Sequence, residues 1–181
     1  MFKKLLILSI LSILSFGSLY AQKEFDESGE YNFMDRVYFG GGGGFSAGSN
    51  YTAINVSPIV GYMFTNRFSS GVGVIYQYIN YKNVDLKTNN YGGSVFSRFN
   101  VTPQFFLHTE YEGLNYETFN VVGGEVRTER LYSPSLFLGG GYFQPLGSRG
   151  GVSFMLLYNL IYDQAKSSYP QPYVIRVGFS L

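Results

Sequence analysis

From Arg36 to the last residue the chain repeats with a period of two, and that period constrains the fold more than any other feature of the sequence. The C-terminal segment is the clearest case: Tyr173, Ile175, Val177, Phe179 and Leu181 alternate with Val174, Arg176, Gly178 and Ser180. Alternation at two residues puts one set on each face of a β-strand, whereas a helix would need a period of 3.6. Seven further segments carry the same signature. They centre on Val37–Phe45, Ile54–Tyr62, Val72–Tyr78, Tyr91–Val101, Phe105–Tyr111, Tyr132–Tyr142 and Val152–Tyr162. Eight alternating strands predict an all-β chain.

The spacing of these strands predicts how they connect. Thr65–Arg67, Thr102–Pro103 and Leu146–Gly150 read as short turns on one side. Residues 82–90, 117–129 and 163–172 read as longer polar loops on the other, with the short Ala47–Tyr51 link as the exception. Short turns at one end and long loops at the other are the connectivity of an eight-stranded antiparallel up-and-down transmembrane β-barrel.

Charge decides which face is outside. The ionisable residues within strand interiors are Arg98, His108, Glu110, Glu112 and Arg176, and all five oppose the apolar stripe. A soluble barrel would put its apolar set inside and its charges in water. The reverse arrangement fits lipid, where an outward Arg near the midplane costs about 2–4 kcal/mol. Tyr76, Tyr78, Tyr91, Tyr111, Tyr132, Tyr158, Tyr162 and Tyr173 gather at the long-loop ends, and Tyr62, Phe64, Phe68, Phe99, Phe105 and Tyr142 at the short-turn ends. These form two predicted interfacial girdles. Strand propensity explains the number of aromatics, 17 Tyr and 17 Phe in a chain that is only 14% charged, and the girdles explain their placement at the strand ends.

The N-terminus carries an export signal. Met1-Phe2-Lys3-Lys4 precedes an apolar run from Leu5 to Phe16 and then Gly17 to Gln22, the order of a secretory signal peptide with cleavage after Ala21. Residues 22–35, acidic and without periodicity, read as a flexible periplasmic leader, and residues 36–181 as the barrel. Loss of Lys3 and Lys4 leaves 11 of the 13 basic residues against 12 acidic ones, a balance of about −1. No electrostatic case for nucleic acid remains. With no cysteine and one histidine, disulfide scaffolds, zinc sites and thiol chemistry are excluded. Neither Gly40–Gly44 nor Gly139–Gly141 completes a phosphate-binding pattern, and no cofactor is expected. In a narrow bore, glycine instead makes room for Phe96, Phe106, Phe137 or Met155 from neighbouring strands. Pro58 and Pro134 each remove a ladder donor, so a bulge or weakened pairing is expected at both.

Charges in a narrow lumen must pair. Arg98, Glu110, Glu112 and Arg176, with His108 nearby, therefore read as a lumen charge network rather than a catalytic group. A catalytic reading would rest on His108 alone, in an enzyme acting on membrane lipid. No enzymatic activity is expected.

The signal peptide, the eight alternating strands and the terminal Tyr173, Ile175, Val177, Phe179, Leu181 strand resemble small outer-membrane barrels of the OmpA/OmpX type. The resemblance implies an outer-membrane location among lipid and lipopolysaccharide, with both termini periplasmic. It also implies that the last strand is the signal read by the barrel-assembly machinery. At finer grain, Arg36-Val37-Tyr38-Phe39-Gly40, Tyr91-Gly92-Gly93-Ser94 and Leu160-Ile161-Tyr162-Asp163 resemble exported barrels of Bacteroidota-type bacteria, some of which are labelled α-ketoglutarate decarboxylase. No thiamine-diphosphate motif or room for a cofactor domain supports that activity here. The expected role is structural or interacting, with a side-chain-filled lumen and no large diffusion pore. The alternatives are an accessory subunit of a larger outer-membrane complex, adhesion through the long loops, and the lipid-modifying enzyme.

Overall fold

A computed structural model describes residues 32–47, 51–82, 86–122, 125–146 and 150–181. The signal peptide and residues 22–31 of the leader lie outside them. Among the described residues, eight strands follow one another: β1 (Val37–Ala47), β2 (Tyr51–Met63), β3 (Phe68–Tyr81), β4 (Leu86–Asn100), β5 (Phe105–Val122), β6 (Glu125–Leu146), β7 (Gly150–Asn159) and β8 (Tyr173–Ser180). Each pairs antiparallel with the next, and β8 returns to β1, closing an up-and-down barrel. Closure leaves the ring without free sheet edges wherever the pairing is complete. The end of the leader forms a 3₁₀ turn, Phe33–Arg36, capped by the Asn32 side chain. Phe33 stacks on Tyr62 at 5.0 Å, which fixes the chain's entry into β1.

Two short turns are built alike. Thr65 Oγ1 accepts from the Arg67 and Phe68 amides at 3.2 and 2.9 Å, and Thr102 Oγ1 accepts from the Gln104 and Phe105 amides at 3.3 and 2.9 Å. A threonine hydroxyl standing in for a backbone acceptor lets the chain reverse in few residues.

The opposite end departs from the expected loops. β4 begins at Leu86, and the β5–β6 ladder runs up to Val122↔Glu125, so most of the segment expected as a loop at 117–129 is paired strand. Above an apolar belt the outward face no longer needs to be apolar, so pairing persists after the hydrophobic period has faded. Among the described residues, only 160–172 remain a long irregular connection, and β7 stops at Asn159, short of the expected Tyr162. Asn159 ends it. Its Oδ1 accepts from the Leu136 and Ile161 amides, at 3.1 and 3.2 Å, where a continuing strand would have supplied backbone.

The two prolines act without bulges. Pairing of β2 with β3 skips Ser57 and Pro58, while the register is unchanged from Val56↔Tyr76 to Ile59↔Gly73. Pro134 lies beyond the last β6–β7 pair, Phe137↔Asn159, so one of its edges has no strand neighbour.

Closure at the β1–β8 seam depends on glycine. Three pairs hold it, Gly40↔Ser180, Gly41↔Phe179 and Gly42↔Gly178. Gly41 has φ +146, and a Cβ there would lie 2.4 Å from the Ser57 carbonyl oxygen. That backbone region is essentially closed to L side chains. Gly41→Ala is expected to lower stability by about 1–3 kcal/mol, read as a lower urea midpoint of the folded band. A midpoint equal to that of the parent would mean the seam is not formed as described.

Candidate functional site

The pleat places the two faces as their residue types require. Outward side chains are apolar and exposed in every strand, among them Val72 at 57%, Val95 at 56% and Leu107 at 55%. Inward ones are buried: Phe96, Phe106, Leu114, Phe137 and Leu157 with Ser94, His108, Glu110, Glu112, Ser135 and Asn159. Tyrosines crown the belt, with Tyr111 and Tyr132 hydroxyls 3.3 Å apart. Tyr173, Ile175, Val177, Phe179 and Leu181 all stand on the exposed outer face. Some of the glycines face incoming rings: a Cβ on Gly71 would meet Phe96, and one on Gly141 would meet Phe106 and Met155.

Alternate positions along β5 send His108, Glu110 and Glu112 inward, and β8 sends Arg176 to meet them. Arg176 serves both acids. Its Nη1 donates to Glu110 Oε2 at 2.7 Å and its Nη2 to Glu112 Oε2 at 2.9 Å, while the guanidinium lies 4.8 Å from the Phe137 ring centre. His108 Nε2 is 3.2 Å from the same Glu110 oxygen, and the imidazole stacks on Phe96. A planar fork matched to two carboxylates is a geometry that lysine could not reproduce.

Arg98 stands apart from this cluster. It is opposite His108 in the β4–β5 register, but its guanidinium sits 4.2 Å over the Phe106 ring and makes no ion pair with Glu110 or Glu112. The five expected residues thus share one lumen, but only four are joined by hydrogen bonds or salt bridges.

Tyr169 joins the cluster unannounced by sequence. Its hydroxyl donates to Glu112 Oε1 at 2.6 Å and lies 3.4 Å from Arg176 Nη2, and its ring meets Phe137 edge-on. The 160–172 connection delivers it. The Ser168 amide donates to Ser133 Oγ at 3.0 Å, drawing the loop down into the mouth of the barrel. Nothing in a polar, aperiodic loop marks one tyrosine for the interior; the free second oxygen of Glu112 is the only requirement it answers.

Above the tyrosine girdle a second, exposed cluster ties three strands. Glu117 accepts from the Asn89 amide at 3.0 Å and pairs with Arg130, whose guanidinium covers Tyr91. The Asn89 amide, and then Arg130, hold the Glu117 carboxyl below its ordinary range.

Packing in the bore is incomplete. A cavity of about 520 Å³ lies beside the charge cluster, lined by residues that include Gly43, Gly44, Asn55, Arg98, His108 and Val177. Among the described residues, no three His, Asp or Glu could hold a metal ion, and no hydroxyl hydrogen-bonds to His108. Nucleophilic catalysis would need such a hydroxyl against the imidazole.

No family model and no curated protein matches the chain. Among solved structures it is similar to the N-terminal β-barrel domain of Pseudomonas aeruginosa OprF. The TM-score is 0.46 with 12% identity, covering 80% of this chain and 94% of that one. The fold itself rests on the closed ring of eight paired strands.

Proposed function

We propose that this chain is an integral outer-membrane barrel with a structural or interaction role and a bore barred to bulk solute. The observation that carries the reading is the exposed apolar belt wrapped around a charged interior. A soluble monomer rarely exposes a contiguous apolar patch beyond a few hundred Å². Here apolar side chains face outward around all eight strands, and the buried charges face the axis. In water this arrangement exposes what should be buried; in a bilayer each face meets its proper solvent. Lipid and lipopolysaccharide then become the natural surroundings, and the β8 face the segment presented during assembly.

Arg176, Glu110, Glu112 and Tyr169 support the closed bore, since their bonds cross from β5 to β8 and to the loop between β7 and β8. Two measurements test the proposal. Purified chain refolded in vesicles should migrate as a compact, heat-modifiable band, and planar bilayers should show no large stable conductance. A large steady pore would overturn the closed bore, and failure to enter vesicles would overturn the membrane assignment.

A further inference from the structure

The wall of the barrel is not closed over its full height. Beyond Gly42↔Gly178 the seam stops, although β1 runs on to Ala47 and β8 begins at Tyr173. Continued register would set Gly43 against Val177 and Phe45 against Ile175, but neither pair forms. A Cβ on Gly43 would meet only the Asn55 carbonyl oxygen, at 3.5 Å, and nothing from β8 within 4 Å. Asn55, an inward-side residue, is exposed, and Ile175 is 75% exposed. The gap lies between Val177 and the girdle residue Tyr173, within the height of the apolar belt. Gly43 and Gly44 on one edge and Val177 on the other also line the 520 Å³ cavity, so the gap gives onto it.

Deeper in that cavity lies a positive charge that feels Glu110 at a distance but is in salt-bridge contact with no acid among the described residues. Glu110 and Glu112 are both taken by Arg176, leaving the Arg98 guanidinium with the Phe106 ring as its contact. Arg98 Nε is buried with no hydrogen-bond partner among the described residues. The same holds for Nδ1 of His108, a residue 5% exposed and opposite Arg98 in register. A buried cation calls for an anion, and a strand gap at hydrocarbon height calls for an apolar cover.

Taking both together, and resting on the membrane reading above, we infer that the cavity binds an acyl-chain amphiphile with an anionic head. The head sits against Arg98 and His108, and the chain leaves through the gap between β1 and β8. A volume of about 520 Å³ is in the ordinary range for small-ligand sites, about 300–1,000 Å³.

The test uses the full chain in phosphatidylcholine nanodiscs with spin-labelled probes. Spin-labelled stearate should show a motionally restricted component, and a trimethylammonium analogue of equal length should not. Arg98→Gln should weaken the stearate association about tenfold, the size expected for a lost charge-assisted hydrogen bond. Heat-modifiable mobility confirms that the variant is folded. Gly43→Cys with Val177→Cys, bridged by a bis-methanethiosulfonate cross-linker that forms a disulfide to each cysteine with loss of sulfinate, should block entry of the stearate probe, and reduction should restore it. Restriction of spin-labelled phosphatidic acid as well as stearate supports a general anionic head, and of stearate alone a single-chain carboxylate. Equal restriction of anionic and cationic probes, or no change in Arg98→Gln, overturns the inference. So does displacement of stearate by millimolar inorganic phosphate, which would assign the site to a soluble anion. A chain that does not insert into nanodiscs at all instead sinks the membrane reading.

Discussion

Replacing Arg176 by Met is expected to lower the stability of the barrel by about 3–5 kcal/mol, the cost of breaking a buried ion pair from one side. Met keeps an unbranched apolar side chain but removes the guanidinium that lies over Phe137 and strands two buried carboxylates. Glu110 loses a donor at 2.7 Å and Glu112 one at 2.9 Å, and the two acids then face each other with His108, the Ser94 hydroxyl and the Tyr169 hydroxyl nearby but no fixed positive charge between them. Urea titration of the folded band in vesicles reads the loss directly. Adding Glu110→Gln and Glu112→Gln should recover much of it, since a lumen without charge carries no unpaired charge. Arg176→Lys should fall between, because a single ammonium cannot address both carboxylates with a planar fork. A loss under about 1 kcal/mol in Arg176→Met would mean that water solvates these carboxylates.

Val72→Arg is the second large effect, and it discriminates solvent rather than packing. Val72 is 57% exposed, and its register partners Val60 and Val95 are exposed beside it. On a water-facing surface the change would stay within about 0.5 kcal/mol. In a bilayer it should cost about 2–4 kcal/mol, because the residue lies midway between the two aromatic girdles. Val101→Arg, in the short turn, is the control: it too replaces an exposed valine, but at the interface, where about 0–1 kcal/mol is expected. Equal urea midpoints for the two variants would remove the bilayer from the account of this belt.

What could be read from the chain, and what could not, follows from the range of each interaction. That Phe137 points inward and Leu138 outward was legible from neighbouring residue types alone. The Thr65 and Thr102 turns were likewise local. The length of β5 and β6 was hidden, because residues 115–119 and 127–130 leave the belt and with it the period. Asn159 as a strand stop was hidden as well, since its effect is exerted on Leu136, a residue of the preceding strand.

The lumen divides along the same line. Alternation placed Arg98, His108, Glu110, Glu112 and Arg176 on one face, since a pleated strand sends every second side chain the same way whatever its neighbours. Which of them meet is a matter of barrel closure and stagger. Arg176 reaches Glu110 across 66 residues of chain only because β8 turns back beside β1. Arg98, on the same face and opposite His108, is left outside that pairing because Arg176 occupies both acids. Tyr169 enters from a loop without periodicity, and the β1–β8 gap exists only where two distant strands part. Side-chain direction is a property of each strand and was determined by the sequence alone. Partnership is a property of the closed ring, and only the tertiary structure decided it.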